Sequence, residues 1–97
     1  MIETLTYEFP ANEGVQQRSH VGVVASGNCE ILLEPAKDGR SSIVVRTSVS
    51  GFGATWQAVL GRFFARNPVA VQIEINDFGA TPAVVSLRLE QALESAQ

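Results

Sequence analysis

The chain has little of the chemistry that small enzymes use: one cysteine, one histidine, and seven lysines and arginines among 97 residues. A single cysteine excludes a disulfide framework and fits a reducing compartment. The basic residues form no run and the net charge is −3, which argues against a nucleic-acid partner. No apolar run approaches the roughly 18 residues of a membrane span, and the acidic N-terminus is unlike a signal peptide. We therefore expect a cytoplasmic protein that binds neither nucleic acid nor membranes.

The residues that are present are typical of one small globular domain over residues 1–97. Apolar residues make up 45% of the chain and charged residues 18%, which are ordinary shares. Leu5, Tyr7 and Phe9 alternate with polar residues, and this pattern predicts a half-buried strand that ends at Pro10. Comparable patterns predict further strands over residues 21–25, 29–34, 42–49 and 69–76.

Two segments show the spacing of apolar side chains that predicts an amphipathic helix. The first runs from about Thr55, a candidate N-cap, to Asn67, and Pro68 ends it. In the second, Thr81 is the cap and Pro82 takes the first helical position. The order β-β-β-β-α-β-α predicts a two-layer α+β domain with both helices on one face of a mainly antiparallel sheet. The predicted buried faces are Trp56, Val59, Leu60, Phe63 and Phe64 in the first helix and Val85, Leu89, Ala92 and Leu93 in the second.

A hairpin is predicted around Gly27-Asn28, because glycine at the first central position favours a two-residue type II′ turn. This register pairs Ser26 with Cys29 and places Ser26 at the exposed tip. The same register pairs Val24 with Ile31 and Gly22 with Leu33.

Ser26 has no catalytic partner that the sequence reveals. No Gly-x-Ser-x-Gly elbow or triad surrounds it, and the commonest reason for such a serine is turn geometry. His20 is interpreted as an ordinary surface side chain, although it could act as a base. Cys29 lacks an adjacent cation or helix N-terminus, so we interpret it as a packed apolar side chain. An exposed serine without a base is better suited to being modified than to attacking a substrate.

Two strand-to-helix loops contain aromatic residues. Asp77-Phe78-Gly79 matches the kinase metal-binding tripeptide in letters only, because the chain lacks the other kinase motifs and the length of that domain. It is interpreted as a turn, or as a recognition loop at the N-terminus of the second helix. Phe52 lies between two glycines and is either a docking contact or a core plug.

Four segments carry a family resemblance. They are residues 3–10 (ETLTYEFP), 26–35 (SGNCEILLEP), 47–52 (TSVSGF) and 76–89 (NDFGATPAVVSLRL). The resemblance extends over nearly the whole chain, from about residue 3 to 93, and the stretch 77–82 is its most specific part. The sequence resembles the acyl-carrier (delta) subunit of bacterial malonate decarboxylase.

The resemblance implies a covalent carrier with no catalytic activity of its own. In that family a serine followed by glycine, matching Ser26 here, carries 2′-(5″-phosphoribosyl)-3′-dephospho-coenzyme A through a phosphodiester. The arm ends in a thiol that holds an acetyl group as a thioester. An acyltransferase subunit exchanges acetate for malonate, and a decarboxylase subunit pair removes the carboxylate. A separate transferase attaches the arm, and Gly27 and Asn28 are the expected recognition residues. Asn28 and Cys29 stand where the family pattern has an acidic and an apolar residue, and both changes bear on that recognition.

Three other interpretations stay open at this point. The chain could be a carrier of the citrate lyase type, which uses the same prosthetic group, or an interaction or regulatory domain without a covalent group. It could also be a small independent enzyme, although no base–nucleophile pair supports that interpretation. A carrier needs docking surfaces for its partner subunits. The candidates are the loops 50–55 and 76–81, with Phe52, Asp77 and Phe78.

Overall fold

Five strands and two helices form two layers in the computed structural model, which describes residues 2–97. The chain order is the predicted β-β-β-β-α-β-α, and the prediction of a two-layer α+β domain is confirmed. The strands are β1 (Glu3–Pro10), β2 (Ser19–Gly22), β3 (Asn28–Pro35), β4 (Arg40–Thr47) and β5 (Val71–Phe78), and the helices are α1 (Gly53–Arg66) and α2 (Pro82–Ala96).

The sheet has the strand order β1-β4-β5-β3-β2. Only the β4–β5 pair is parallel, with α1 as the connection between the two strands, and the other three pairs are antiparallel. The carboxyl ends of β4 and β5 therefore lie at one end of the sheet, where β3 begins. The β2–β3 connection and the loops that lead into both helices all meet at this end, which we call the helix-start end.

The core lies between one face of the sheet and the apolar stripes of the helices. All nine predicted stripe residues of the two helices are buried, so both helix faces are confirmed. Phe9 of β1 reaches this layer and stacks on Phe64 of α1, with the ring centroids 4.9 Å apart. The sheet contributes every second residue of its central strands, as alternation requires. These sheet residues are Cys29, Ile31, Leu33, Ile43, Val45, Val71, Ile73 and Ile75.

The opposite face of the sheet carries charged side chains on its central strands. Arg46 of β4 and Glu74 of β5 form an ion pair with 2.9 Å between Nη1 and Oε1. Hydrogen bonds from Arg46 and Asn76 lower the pKa of the Glu74 carboxyl. Within residues 2–97, neither helix is long and apolar enough to cross a membrane.

The β2–β3 connection differs from the predicted hairpin. Val21 pairs with Ile31, and β2 ends at Gly22, so the predicted pairing of Ser26 with Cys29 and the two-residue type II′ turn are wrong. Gly22 has a φ of +80°, a left-handed conformation that ends the strand. The apolar residues that suggested a longer strand, Val23 and Val24, are 54% and 56% exposed.

Three further elements, α1, β4 and β5, begin or end at other residues than predicted. The N-cap of α1 is Phe52, not Thr55, and the Trp56 N–H donates to the Phe52 carbonyl at 2.9 Å. The fourth strand was predicted over residues 42–49 and is observed over 40–47, and the fifth was predicted over 69–76 and is observed over 71–78. β5 therefore includes part of the predicted 76–81 loop. The Thr81 cap of α2 is confirmed, because its hydroxyl accepts from the Val84 N–H at 3.3 Å.

Gly22 at the end of β2 and Gly27 in the turn before β3 allow the cost of backbone strain to be measured apart from that of a steric clash. Both have positive φ, but a Cβ on Gly22 would lie 2.0 Å from the Cys29 carbonyl oxygen, whereas a Cβ on Gly27 would have nothing within 4 Å. We expect Gly27→Ala to lower the free energy of unfolding by about 1–2 kcal/mol, the cost of the left-handed conformation. Gly22→Ala should lower it clearly more, as measured by urea unfolding. Equal losses for the two variants would contradict the close approach.

Candidate functional site

Ser26 lies exposed on a four-residue turn at the helix-start end. The Asn28 N–H donates to the Ala25 carbonyl at 3.0 Å, which closes the turn around Ser26 and Gly27. Gly27 has a φ of +75° and no non-glycine residue among 2–97 has positive φ, so this is a type II turn. The turn differs from the predicted one, but it presents the serine hydroxyl at an exposed tip, as expected.

The turn is fixed to the end of β5. The Gly27 N–H donates to the Phe78 carbonyl at 2.7 Å, and Asn28 pairs with Phe78 in the β3–β5 ladder. Asn28 also forms a parallel bridge with Gly79. The structure thus brings together Ser26, the flanking residues and the Phe78 region.

Asp77 shapes the chain just after β5. Its side chain is 3% exposed, and its Oδ2 accepts from the Thr47 hydroxyl at 2.8 Å and from the Gly79 N–H at 3.3 Å. Its Oδ1 accepts from the Ala80 N–H at 3.0 Å. Both oxygens of the carboxylate therefore accept hydrogen bonds from donors of this chain. This corrects the expectation that Asp77 itself faces a partner.

A cavity of about 410 Å³ opens between the loops that lead into the two helices. Its walls are mainly apolar and include Val49, Phe52, Trp56 and Val85. Phe52 is 49% exposed, so it is not the core plug that was one of its two interpretations. Phe78, the other predicted docking aromatic, is half-buried at the end of β5 and does not line this cavity.

The side chains of the one histidine and the one cysteine are both held by contacts within this domain. The His20 Nε2 lies 2.9 Å from Oε2 of Glu30, so its ring is held on the sheet by a carboxylate. Cys29 is fully buried in the core, as predicted. Burial raises the pKa of its thiol to about 11, the charge of Asp77 adds to the rise, and the charge of Arg88 opposes it. A protonated, buried thiol is a poor nucleophile.

Arg88 of α2 is a neighbour of the serine turn that the sequence interpretation missed. Its Nε donates to Oδ1 of Asn28 at 3.3 Å, although 60 residues separate the two in the chain. Helix periodicity could have indicated it, because Arg88 follows Val85 by three residues and precedes Ala92 by four, and both are buried. A cation on the flank of an apolar stripe is expected to be half-buried, as Arg88 is.

The fold and the turn define a class: a small α+β module that offers a serine on a fixed, exposed turn, while its one thiol is buried and its one histidine is held by a carboxylate. A sequence model of the family described as "Malonate decarboxylase delta subunit (MdcD)" matches residues 16–96. The chain belongs to this family of malonate decarboxylase acyl carrier proteins, as the resemblance indicated.

Relatives with the name "Malonate decarboxylase acyl carrier protein" match nearly end to end. The protein of Azotobacter vinelandii is 53% identical over 94 residues, which are 96% of this chain and 95% of the relative. That of Pseudomonas aeruginosa is 55% identical over 96 residues, 98% of this chain and 97% of the relative. A chain in the crystal structure of a Pseudomonas malonate decarboxylase hetero-tetramer in complex with malonate superposes with a TM-score of 0.93 at 50% identity, covering 98% of this chain and 99% of that one.

The raised pKa of Cys29 gives the stability a specific pH dependence. An unfolded thiol has a pKa near 9.0 and the folded one about 11. Between these values the unfolded chain loses the proton first, so the free energy of unfolding falls as pH rises from about 9 toward 11. We expect urea midpoints measured at pH 7.5, 9 and 10.5 to fall more steeply for the wild type than for Cys29→Ala, which has no thiol to titrate. Parallel curves would contradict the assignment.

Proposed function

We propose that this chain is the non-catalytic acyl-carrier subunit of a malonate decarboxylase and that Ser26 is the attachment point for 2′-(5″-phosphoribosyl)-3′-dephospho-coenzyme A. The observation that carries the proposal is the exposed serine turn, in a chain that matches acyl carrier proteins of malonate decarboxylase nearly end to end. That turn is tied to β5 by the hydrogen bond from Gly27 to Phe78. A fixed turn gives a tethered group a defined pivot.

The residues around Ser26 fit a bulky covalent group. Ser26 is exposed, and the position next to it is also open, since a Cβ on Gly27 would meet nothing within 4 Å. Ser26 would hold the group through its hydroxyl oxygen, and Gly27 and Asn28 would be read by the attaching transferase. When bound, the group supplies a terminal thiol on which an acyl group is carried. A free thiol of this kind fits the cytoplasm, which keeps thiols reduced.

The cavity at the helix-start end supports docking to another subunit of the same complex. Phe52 and Val49 are exposed beside it, and the serine turn lies at the same end of the sheet. The relative of known structure is part of a hetero-tetramer. We propose that an apolar side chain of an acyltransferase or decarboxylase subunit enters this cavity and contacts Phe52, because buried aromatic anchors dominate such interfaces.

Intact mass of the protein from its native host, grown on malonate, tests the attachment. We expect a mass increase that equals the phosphoribosyl-dephospho-coenzyme A group, localised to Ser26 by peptide mapping and absent in Ser26→Ala. The matched control is Ser50→Ala, because Ser50 is the other exposed serine followed by a positive-φ glycine, Gly51. This variant should retain the full modification.

A thiol titration under native conditions gives an independent reading. Cys29 is the only cysteine and is fully buried, so a rapidly reacting thiol must belong to the attached group. After hydroxylamine has cleaved any acyl thioester, the wild type should show about one rapid thiol per chain, and Ser26→Ala none. An unmodified wild type in cells that consume malonate would overturn the carrier assignment and favour an interaction domain without a covalent group.

Replacement of Phe52 tests the docking proposal. Phe52→Ala should weaken binding to the remaining subunits by about tenfold or more, as loss of an aromatic anchor does. The matched control is Leu87→Ala, because Leu87 is similarly exposed (52% against 49%) but does not line the cavity. Its binding, measured by calorimetry or surface plasmon resonance, should stay near the wild-type value. Equal effects of the two substitutions would argue against the cavity as the docking site.

A further inference from the structure

Arg88 reaches the serine turn from α2 by passing close to Gly22. The Arg88 Cδ would lie 3.4 Å from a Cβ built on Gly22, so the aliphatic stem passes close to this glycine. Beyond it, the guanidinium donates from Nε to Oδ1 of Asn28 at 3.3 Å and from Nη1 to Oε1 of Gln91 at 2.9 Å. The charged group of Arg88 therefore lies against the residue that closes the turn around Ser26.

Among residues 2–97, no carboxylate is a direct partner of the Arg88 charge. The ion pairs within residues 2–97 use Arg18, Arg40, Arg46 and Arg66, a further contact joins His20 to Glu30, and none of them uses Arg88. Both oxygens that accept from Arg88 belong to neutral amides. The nearby carboxylate of Asp77 already accepts hydrogen bonds from Thr47, Gly79 and Ala80.

A half-buried guanidinium with only neutral acceptors favours a nearby anion. Partial burial weakens the hydration of a charge, and a counter-anion restores the electrostatic stabilisation that the lost water supplied. Arginine has five N–H donors in a planar fork that matches the oxygens of a phosphate group. The contacts to Asn28 and Gln91 use two of these donors.

We propose that Arg88 is the phosphate-binding residue of the attachment site and contacts the phosphodiester that is formed on the Ser26 hydroxyl. This inference rests on the proposed carrier function. Chain geometry supports it, because Ser26 and Asn28 are two residues apart in one turn, and two residues span at most about 7 Å. Arg88 makes and breaks no bond here, so it is a positioning residue that fixes the base of the arm.

Three substitutions separate the charge of Arg88 from its packing. Arg88→Gln removes the charge but retains hydrogen-bonding ability, and Arg88→Lys retains the charge without the planar fork. Asn28→Asp leaves Arg88 in place and offers it an internal carboxylate that competes with a phosphate. Arg62→Gln is the matched control, because Arg62 is an exposed arginine on α1, which lies outside the turn.

The first readout is NMR on the purified carrier, loaded and unloaded, without the rest of the complex. We expect the Arg88 Nε–H signal of the wild type to shift on loading, while the Arg62 signal stays fixed. The phosphorus-31 signal of the phosphodiester should differ between the folded and the urea-unfolded loaded wild type. In Arg88→Gln and Asn28→Asp it should move toward the unfolded value.

The second readout is the loading reaction with purified transferase at limiting donor. The loading rate should fall by about tenfold in Arg88→Gln, the usual effect of losing a charge-assisted hydrogen bond. Arg88→Lys should lose less, and Arg62→Gln should load like the wild type. Urea unfolding of each unloaded variant identifies any loss of fold. Asn28→Asp is judged by its phosphorus-31 signal alone, because the transferase is proposed to read residue 28 directly.

The outcomes distinguish this inference from the proposed function. A wild type that is never modified at Ser26 overturns the carrier assignment and the role of Arg88 together. A wild type that is modified, with an unmoved Arg88 signal and an Arg88→Gln phosphorus signal like that of the wild type, overturns only the role of Arg88.

Discussion

Asp77 lies at the carboxyl end of β5 with 3% of its surface exposed, and three donors of the chain converge on its carboxylate. Removing a hydrogen-bond partner from a buried group costs about 1–3 kcal/mol, and more when that group is charged. The Gly79 and Ala80 N–H groups come from the backbone just after β5, so their bonds fix the path of that loop. The neighbouring Phe78 carbonyl then accepts from Gly27. The position of the serine turn therefore depends on this carboxylate.

Local patterns in the sequence predicted most of the fold, because the sheet and helices are amphipathic in the ordinary way. Period-two alternation identified the inward residues of the central strands, such as Ile31 and Ile75, and the helix spacing identified both buried stripes. The β2–β3 register could not be predicted locally. Val23 and Val24 favour a strand by composition, but the conformation of Gly22 ends β2 before them. That conformation fits the close approach of Cys29 and Arg88, which lie beyond the local window.

In the candidate site too, features set by neighbouring residues could be predicted from the sequence, and contacts between distant residues could not. The exposed serine was predictable, since a Ser-Gly pair between apolar runs is a local turn signal. The bond between Thr47 and Asp77 joins residues 30 apart, and the bond between Arg88 and Asn28 joins residues 60 apart. The first contact depends on the β4–β5 pairing and the second on where α2 packs against β3, and sequence periodicity carries no information on either. Phe52 was ambiguous for a related reason, because its exposure depends on where α1 begins.

The β3–β5 pairing accounts for the location of the serine and the apolar cavity at one end of the domain. It ties the turn of Ser26 to Phe78, and the chain after Phe78 forms one wall of the cavity before α2 begins. For a carrier this arrangement has a physical consequence. The effective concentration of a tethered group falls as the volume that it can search grows. If Ser26 carries the proposed arm and the cavity binds a partner as proposed, this arrangement would restrict that volume, because the partner would be held at the same end as the base of the arm. Flexibility would be needed only in the arm, which is why a rigid turn and a rigid domain suit the carrier role.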